Sequence, residues 1–321
     1  MYGLGDLKGQ LRVSEDTVEC PVLGCTHTVA RQRRRFSAQD RFSCPAHGIC
    51  ISPSTWKYRN KNDNLLWKAP SDLDLLRAIE HDKRESRMAF DNSEDAVTFN
   101  VFRCLELHPD DLAVVLGQMA GEHVNDAELV YWSHHAKTGQ QWEPLNRARK
   151  TFERVPARGS EPDLIVITDE ILFFIEAKLT STNVTTAPKS GAQKDYLTGA
   201  GGWFARVFDA DWQTIAVTGR RYELLRFWLL GTWLAAQLGV KFCLVSLVPS
   251  RQVTPSRHEP FENYVRPGDD ASFCLYSWEQ VRDCLRHGES RDSDTHPLAT
   301  YFATKTIGYG SDRRLKAAFN Q

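Results

Sequence analysis

The stretch from Glu161 to Leu179, EPDLIVITDEILFFIEAKL, constrains this chain more than any other, because two runs of branched and aromatic residues meet at one short polar break. If the chain reverses at Asp169 and Glu170, the runs form an antiparallel pair in which residues whose numbers sum to 339 lie opposite each other. Thr168 then faces Ile171, and Asp163 faces Glu176. Side chains alternate along a strand, so Lys178 emerges on the same face as Glu176. The runs from Leu164 to Ile167 and from Ile171 to Ile175 show almost no polar alternation, which is the pattern of strands covered on both faces.

Burial makes the charged residues informative. Two ionised carboxylates beside a buried strand repel and desolvate each other, and a cation between them relieves both penalties. A set of oxygen ligands without His or Cys suits Mg²⁺ (or Mn²⁺) and is a poor zinc site. A lysine beside such a metal can orient a water and neutralise charge developing on a phosphorane-like transition state. The expected chemistry is that of a metal-dependent phosphodiesterase. The competing reading makes Glu176 and Lys178 a strand-end ion pair and Asp163 part of a Pro-Asp turn.

These residues resemble the core motif of the PD-(D/E)xK nuclease superfamily: Pro162-Asp163, a short hairpin, then Glu176-Ala177-Lys178. The resemblance extends to the flanking elements. SEDAVTFNVFRCLE, residues 93–106, is similar to the helix that precedes the hairpin in that superfamily. Ser93 would cap it, Glu94 takes the acidic position, and Val97, Val101, Phe102 and Leu105 form its apolar stripe. RYELLRFWLLGTWLAAQLG, from Arg221 onward, resembles the helix that follows the motif, and KFCLVSLV, residues 241–248, the next strand.

The resemblance implies an α/β fold with a restriction-endonuclease-like core, a mixed central sheet flanked by helices. It implies that Asp163, Glu176 and the backbone carbonyl of Ala177 bind Mg²⁺ and that Lys178 positions the water. Glu94 would hold a second metal or its water shell. Arg226 would touch the scissile phosphate, or else reach solvent or pair with Glu223 one helical turn away, and both readings stand. The implied activity is a nuclease, an endonuclease acting on DNA more than RNA. The alternative is a nucleic-acid- or protein-binding protein whose nuclease-like core no longer cuts.

At 321 residues and 41% hydrophobic content, the chain can bury one good core and carry a smaller module beside it. The expected division is a zinc-ribbon-like module with connector over residues 1–70 and a nuclease-like domain over 71–321. The apolar stretch from Leu224 to Leu238 carries Arg226 and is shorter than the roughly 20 residues that cross a bilayer, so a buried helix is expected. MYGLGDLKGQ has no basic start followed by an apolar block, and a cytoplasmic location is expected. A net charge of −1 means that any nucleic-acid contact must come from local basic patches.

A second constraint lies in CPVLGCTHTVARQRRRFSAQDRFSCPAHGIC, from Cys20 to Cys50. Cys20 and Cys25 bracket one Gly-containing turn, and Cys44 with His47 brackets another after an 18-residue gap. Two such knuckles supply tetrahedral ligands for zinc, and the region looks like a zinc ribbon. His27 could replace a ligand of the first knuckle and Cys50 could replace His47. The repeated C-P turn favours Cys20, Cys25, Cys44 and His47. Cys104, Cys243, Cys274 and Cys284 read as core thiols.

Between the knuckles run Arg31-Gln32-Arg33-Arg34-Arg35, a loop that could bind phosphates. Arg147, Arg149, Lys150, Arg154 and Arg158 cluster just upstream of Pro162, with Arg149 and Lys150 the candidates for substrate contact. Arg313, Arg314 and Lys316 suggest a terminal helix face. A helix is expected from Asp72 to about Arg87, a long polar loop from Thr180 to Gly202 in which Lys189 and Lys194 could close over a strand, and a helical pattern from Tyr276 to His287. The adjacent His134 and His135 point to opposite faces of a strand and cannot readily share a metal.

Overall fold

The computed structural model describes residues 4–82, 86–153, 155, 159–188, 193–253, 259–286, 297–310, 312 and 314–320. Among the described residues the chain opens with two short antiparallel pairs, β1 (Thr17–Glu19) with β2 (Thr28–Ala30) and β3 (Cys50–Ile51) with β4 (Trp56–Lys57). Helices α1 (Pro70–Asp82), α2 (Glu94–Glu106) and α3 (Pro109–Ala120) follow. Strands β5 (Glu128–Tyr131) and β6 (His134–His135) and helix α4 (Glu143–Phe152) precede the central hairpin, β7 (Leu164–Ile167) and β8 (Ile171–Ala177). Helices α5 (Gln193–Gly202), α6 (Phe204–Val207) and α7 (Tyr222–Leu238) then lead to β9 (Lys241–Val248) and β10 (Ala271–Ser277). The chain closes with α8 (Trp278–Arg286), α9 (Pro297–Thr304), β11 (Thr306–Tyr309) and β12 (Leu315–Ala317).

Two compact units result. The first comprises Met1–Leu73, Arg84–Leu107 and Arg282–Gln321, and the second Asp74–Lys83 and His108–Val281. A cut after residue 70 does not separate them, because α2 and the C-terminal segment return to the first unit. The return has a physical anchor: Lys305 is buried against Asp91 at 3.3 Å, and Thr306 and Tyr58 also donate to that carboxylate. Tyr309 joins the small core of Val18, Ile49, Ile51 and Trp56.

The second unit is built on a six-stranded mixed sheet in the order β10-β9-β8-β7-β5-β6. Strands β8, β9 and β10 run parallel, and the pairs β7–β8, β5–β7 and β5–β6 are antiparallel. The hairpin has the expected register, with Leu164 opposite Ile175 and Ile167 opposite Leu172. Both strands are almost wholly buried, as their unbroken apolar runs require. The parallel step from β8 to β9 needs a long crossover, which α5, α6 and α7 supply. Helix α7 lies against β9, where Gly231 makes the contact possible: a Cβ there would sit 2.1 Å from ring carbons of Phe242. Gly239, left-handed at φ 73°, ends the helix. On the opposite face, α3 meets the sheet through a hydrogen bond from the Tyr276 hydroxyl to Gln118 at 2.7 Å.

Four expectations change. Helix α1 is described over Pro70–Asp82, residues 83–85 lie outside the described residues, and Arg87 is not helical. The polar run after Lys178 becomes helical from Gln193, although residues 199–201 leave helical geometry. Tyr276 lies in strand β10, which ends at Ser277, and the helix begins only at Trp278; His287 lies outside the described residues. Arg314 and Lys316 flank and occupy a short strand instead of a helix. Both misread helices begin or lie where strand partners far along the chain override local pattern. Arg154, Arg158, Lys189 and Arg313 lie outside the described residues.

Candidate functional site

The carboxylates gather at the C-terminal end of β8. Asp163 precedes β7, and its Oδ2 accepts the Ala177 backbone N–H at 2.9 Å, which extends the hairpin pairing by one step. Glu176 and Lys178 are buried and form a direct ion pair. Lys178 also lies 3.1 Å from Glu223, in the first turn of α7. The Thr185 hydroxyl accepts the Glu223 backbone N–H at 2.8 Å and so fixes that helix start. Lys178 is held at both ends of its backbone: its N–H donates to Leu247 at 2.8 Å, and its carbonyl accepts the Trp278 indole at 2.9 Å.

The electrostatics follow from burial. Desolvation pushes the Glu176 carboxyl well above the usual range, the Asp163 charge adds to it, and Lys178 opposes it. Lys178 is raised: burial alone would lower it, but the charges of Glu176, Glu223 and Asp163 outweigh that penalty. Glu176 Oε2 is buried with no hydrogen-bond partner among the described residues. Glu223 Oε2 also lacks one, since its 3.1 Å approach to Lys178 is an ion pair without hydrogen-bond alignment.

A strained turn supports Asp163 from the side. Trp132 and Ser133 join β5 to β6 with φ of 42° and 75°, and neither is the Gly or Asn that such a turn favours. The Trp132 indole donates to Asp163 Oδ1 at 3.0 Å, and the Ser133 hydroxyl donates to Glu161 at 2.9 Å. No sequence signal marked Trp132, because its partner lies 31 residues away. Ser246, which pairs with Glu176 across β8 and β9, was not singled out either, although a polar residue inside an apolar strand is a signal that could have found it.

The other expected contacts are placed differently. Arg149 is not presented to a substrate: it is buried, and its guanidinium donates to Ser160 at 2.8 Å, Ser133 at 2.9 Å and Asn146 at 3.2 Å. It ties α4 to the segment that enters the hairpin. Lys150 and Arg147 are exposed, with Lys150 3.6 Å from Glu143. Arg226 does not reach freely into solvent; its guanidinium stacks 4.7 Å over the Tyr222 ring, and its Nε has no hydrogen-bond partner among the described residues. Glu94 opens α2 in the first unit behind the Ser93 cap, whose hydroxyl accepts the Ala96 N–H at 3.1 Å. His134 and His135 diverge, the first to Asp82 at 3.0 Å and the second to Glu128 at 3.2 Å.

The first unit holds the clearer metal geometry. Ligand atoms of Cys20, Cys25, Cys44 and His47 all lie within 4.8 Å of one another. Tetrahedral zinc, with bonds of about 2.3 Å to sulfur and about 2.0 Å to nitrogen, separates sulfurs by about 3.8 Å and sulfur from nitrogen by about 3.5 Å. Cys25 and Cys44 sulfurs are 3.8 Å apart, and His47 Nδ1 is 3.6 Å from Cys20 and 3.7 Å from Cys44. This group could hold a structural metal ion. Burial pushes the Cys20 thiol up; Cys25 is lowered to about 6, with burial outweighed by the backbone and ring of His27 and by the neighbouring thiols.

The alternate ligands fall outside the group. Cys50 contacts Gln32 and the Ser37 carbonyl, and His27 Nδ1 lies 3.4 Å from Cys25. Gln32 is buried in the arginine loop and braces it through Ser37 and Ile51. Arg31 stacks on Tyr309, Arg33 pairs with Asp16, and Arg34 and Arg35 are exposed.

Among the described residues, the Cys and His group is the one set of three or more His, Cys, Asp or Glu side chains with ligand atoms this close. Asp163, Glu176 and Glu223 do not form a second, and Lys178 pairs with both Glu176 and Glu223. A cavity of about 780 Å³ opens at the other end of the strands, around Asp169 and Lys241, away from the carboxylates. No described helix is long and apolar enough to cross a membrane. No family model, curated protein or solved structure matches this chain.

Proposed function

We propose that this protein is a Mg²⁺-dependent nuclease with a restriction-endonuclease-like core, cutting DNA, and that Cys20, Cys25, Cys44 and His47 bind zinc in a ribbon that helps hold the nucleic acid. The observation that carries the catalytic part is the buried Glu176 Oε2, which has no hydrogen-bond partner among the described residues and lies beside the charge of Asp163, while Lys178 pairs with the other oxygen, Oε1. An orphaned, desolvated carboxylate oxygen is costly unless a cation or proton completes it.

Asp163, Glu176 and the Ala177 carbonyl would hold the metal, which when bound supplies Lewis-acid charge to a phosphoryl oxygen and to a water. Lys178, kept protonated by three carboxylates, would hold the attacking water and balance charge on the transition state. Trp132 holds the Asp163 carboxylate in place, leaving its orientation set before substrate arrives. Glu94 as a holder of a second metal rests on the resemblance alone.

A second reading, a core that binds nucleic acid or protein without cutting, is favoured by one observation: Lys178 already bridges Glu176 and Glu223. Incubation with plasmid, linear and single-stranded DNA and with RNA, in Mg²⁺, Mn²⁺ or chelator, separates the two. Cation-dependent cleavage that disappears in Glu176→Gln supports the nuclease. Failure to cut any of these substrates, or equal cutting by Glu176→Gln, removes it.

A further inference from the structure

Beside the carboxylates, on the same face of the sheet, lies a cavity of about 410 Å³ whose walls include Leu224, Phe261, Phe273 and Leu275. Its place follows from register. Asp163 lies next to Glu176 across the hairpin, Glu176 pairs with Ser246, and Ser246 pairs with Leu275. In-register residues of neighbouring strands share a face, with strands about 4.8 Å apart, so Ser246 and Leu275 stand roughly 5 and 10 Å from Glu176. Both line the cavity.

One group in the lining is chemically incomplete. Asn183 is 7% exposed; its Nδ2 donates to Ser246 Oγ at 2.6 Å, and its Oδ1 is buried with no hydrogen-bond partner among the described residues. An amide oxygen in such a place awaits an N–H donor. Apolar and aromatic walls of this size, about that of a small-molecule site, suit a flat ring.

We infer that this cavity is a nucleobase pocket, taking the base beside the phosphodiester held at Asp163 and Glu176. The inference rests on the nuclease reading for its substrate, and it narrows that substrate: a base can enter only when unstacked, so the protein acts on single-stranded or locally unpaired nucleic acid. Asn183 Oδ1 accepts from an exocyclic amine, which adenine, cytosine and guanine carry. Thymine and uracil present an N–H between two carbonyls, whose dipoles oppose the Asn183 oxygen.

Mononucleotides contain no phosphodiester to cut, so their binding reads the pocket independently of catalysis. Calorimetric titration of the full chain with dAMP, dCMP, dGMP, dTMP and deoxyribose 5-phosphate should show at least one amino-bearing nucleotide binding about tenfold or more tightly than dTMP and the sugar phosphate. Val253→Trp, which fills the pocket from an exposed lining position, and Asn183→Leu should each weaken it at least about tenfold. Absent binding, equal binding of the sugar phosphate, or binding unchanged in Val253→Trp overturns the pocket. Base-selective binding by a protein that cuts nothing would leave the pocket standing and remove the nuclease; cleavage without base-selective binding would do the reverse.

Discussion

The Trp132 indole N–H donates to Asp163 Oδ1 at 3.0 Å from a turn in which both central residues hold positive φ. Backbone strain of order 1–3 kcal/mol per residue is maintained there because the turn aims Trp132 at one carboxylate and Ser133 at the Arg149–Glu161 contact. Trp132→Phe keeps an aromatic side chain, of smaller volume, but removes the donor. Urea unfolding should show a loss of about 1–3 kcal/mol. If the protein cuts DNA, kcat should fall while KM stays near its original value. Unchanged stability and kcat would mean that Asp163 needs no help from the turn.

Lys178 balances buried acids, so removing it leaves charge behind. Lys178→Met should destabilise the second unit by about 3–5 kcal/mol at neutral pH. The Glu176 carboxyl, raised by burial and by Asp163, takes up a proton more readily than an ordinary glutamate, so the penalty should shrink as pH falls. Lys178→Met combined with Glu176→Gln should recover much of the loss. A penalty that does not depend on pH, measured by denaturant titration, would point to lost packing instead.

Elemental analysis of purified protein should find about one zinc per chain, bound by three thiolates and one imidazole. Cys44→Ser should lower that content and loosen the small core of Val18, Ile49 and Trp56, read as faster amide exchange in the first unit. Cys50→Ser should leave the metal in place, because that sulfur faces Gln32 and Ser37. Metal loss in Cys50→Ser with retention in Cys44→Ser would reverse the assignment.

Gly231 lets α7 approach β9 with no atom between the backbone and the Phe242 ring. Gly231→Ala places a methyl 2.1 Å from ring carbons and should cost about 1–3 kcal/mol despite the better helix propensity of alanine. Phe242→Leu in the same chain should relieve part of that cost. Thermal unfolding of the single and double variants tests the coupling.

Glu19 accepts hydrogen bonds from Lys8, at 2.8 Å, and from Arg12, and these partners lower its carboxyl from an ordinary 4.5 to about 2. A carboxyl with a depressed folded-state pKa stabilises the fold above its unfolded value, and that stability is lost as pH falls through the folded value. The window is therefore from about 4.5 down to about 2. Wild type should lose stability across it more steeply than Glu19→Gln, and any acid release of metal is common to both proteins. Parallel slopes in acid titrations followed by circular dichroism would count against this ion pair.

What was legible in the sequence came from short-range regularities. Unbroken apolar runs defined β7 and β8, and a two-residue break fixed their register, which brings Asp163, Glu176 and Lys178 to one end of the hairpin. Ser93 marked the start of α2, and the spacing of Cys20, Cys25, Cys44 and His47 defined a four-ligand group. Each of these depends on hydrogen bonds or alternation within one element or across one turn.

Tertiary structure decided the rest, because the partners meet only through topology. Arg149 sits near the motif in sequence, yet the fold turns it inward as a brace for Ser133 and Ser160. Trp132 reaches Asp163 because β5 pairs with β7, and Asn183 reaches Ser246 because β9 returns parallel to β8 after a helical crossover. Asp163 and Glu176 are thus joined by a lysine, an indole and an amide-lined cavity that no local pattern encodes: strand pairing between distant segments sets their neighbours, and a residue's own flanking sequence does not carry that information.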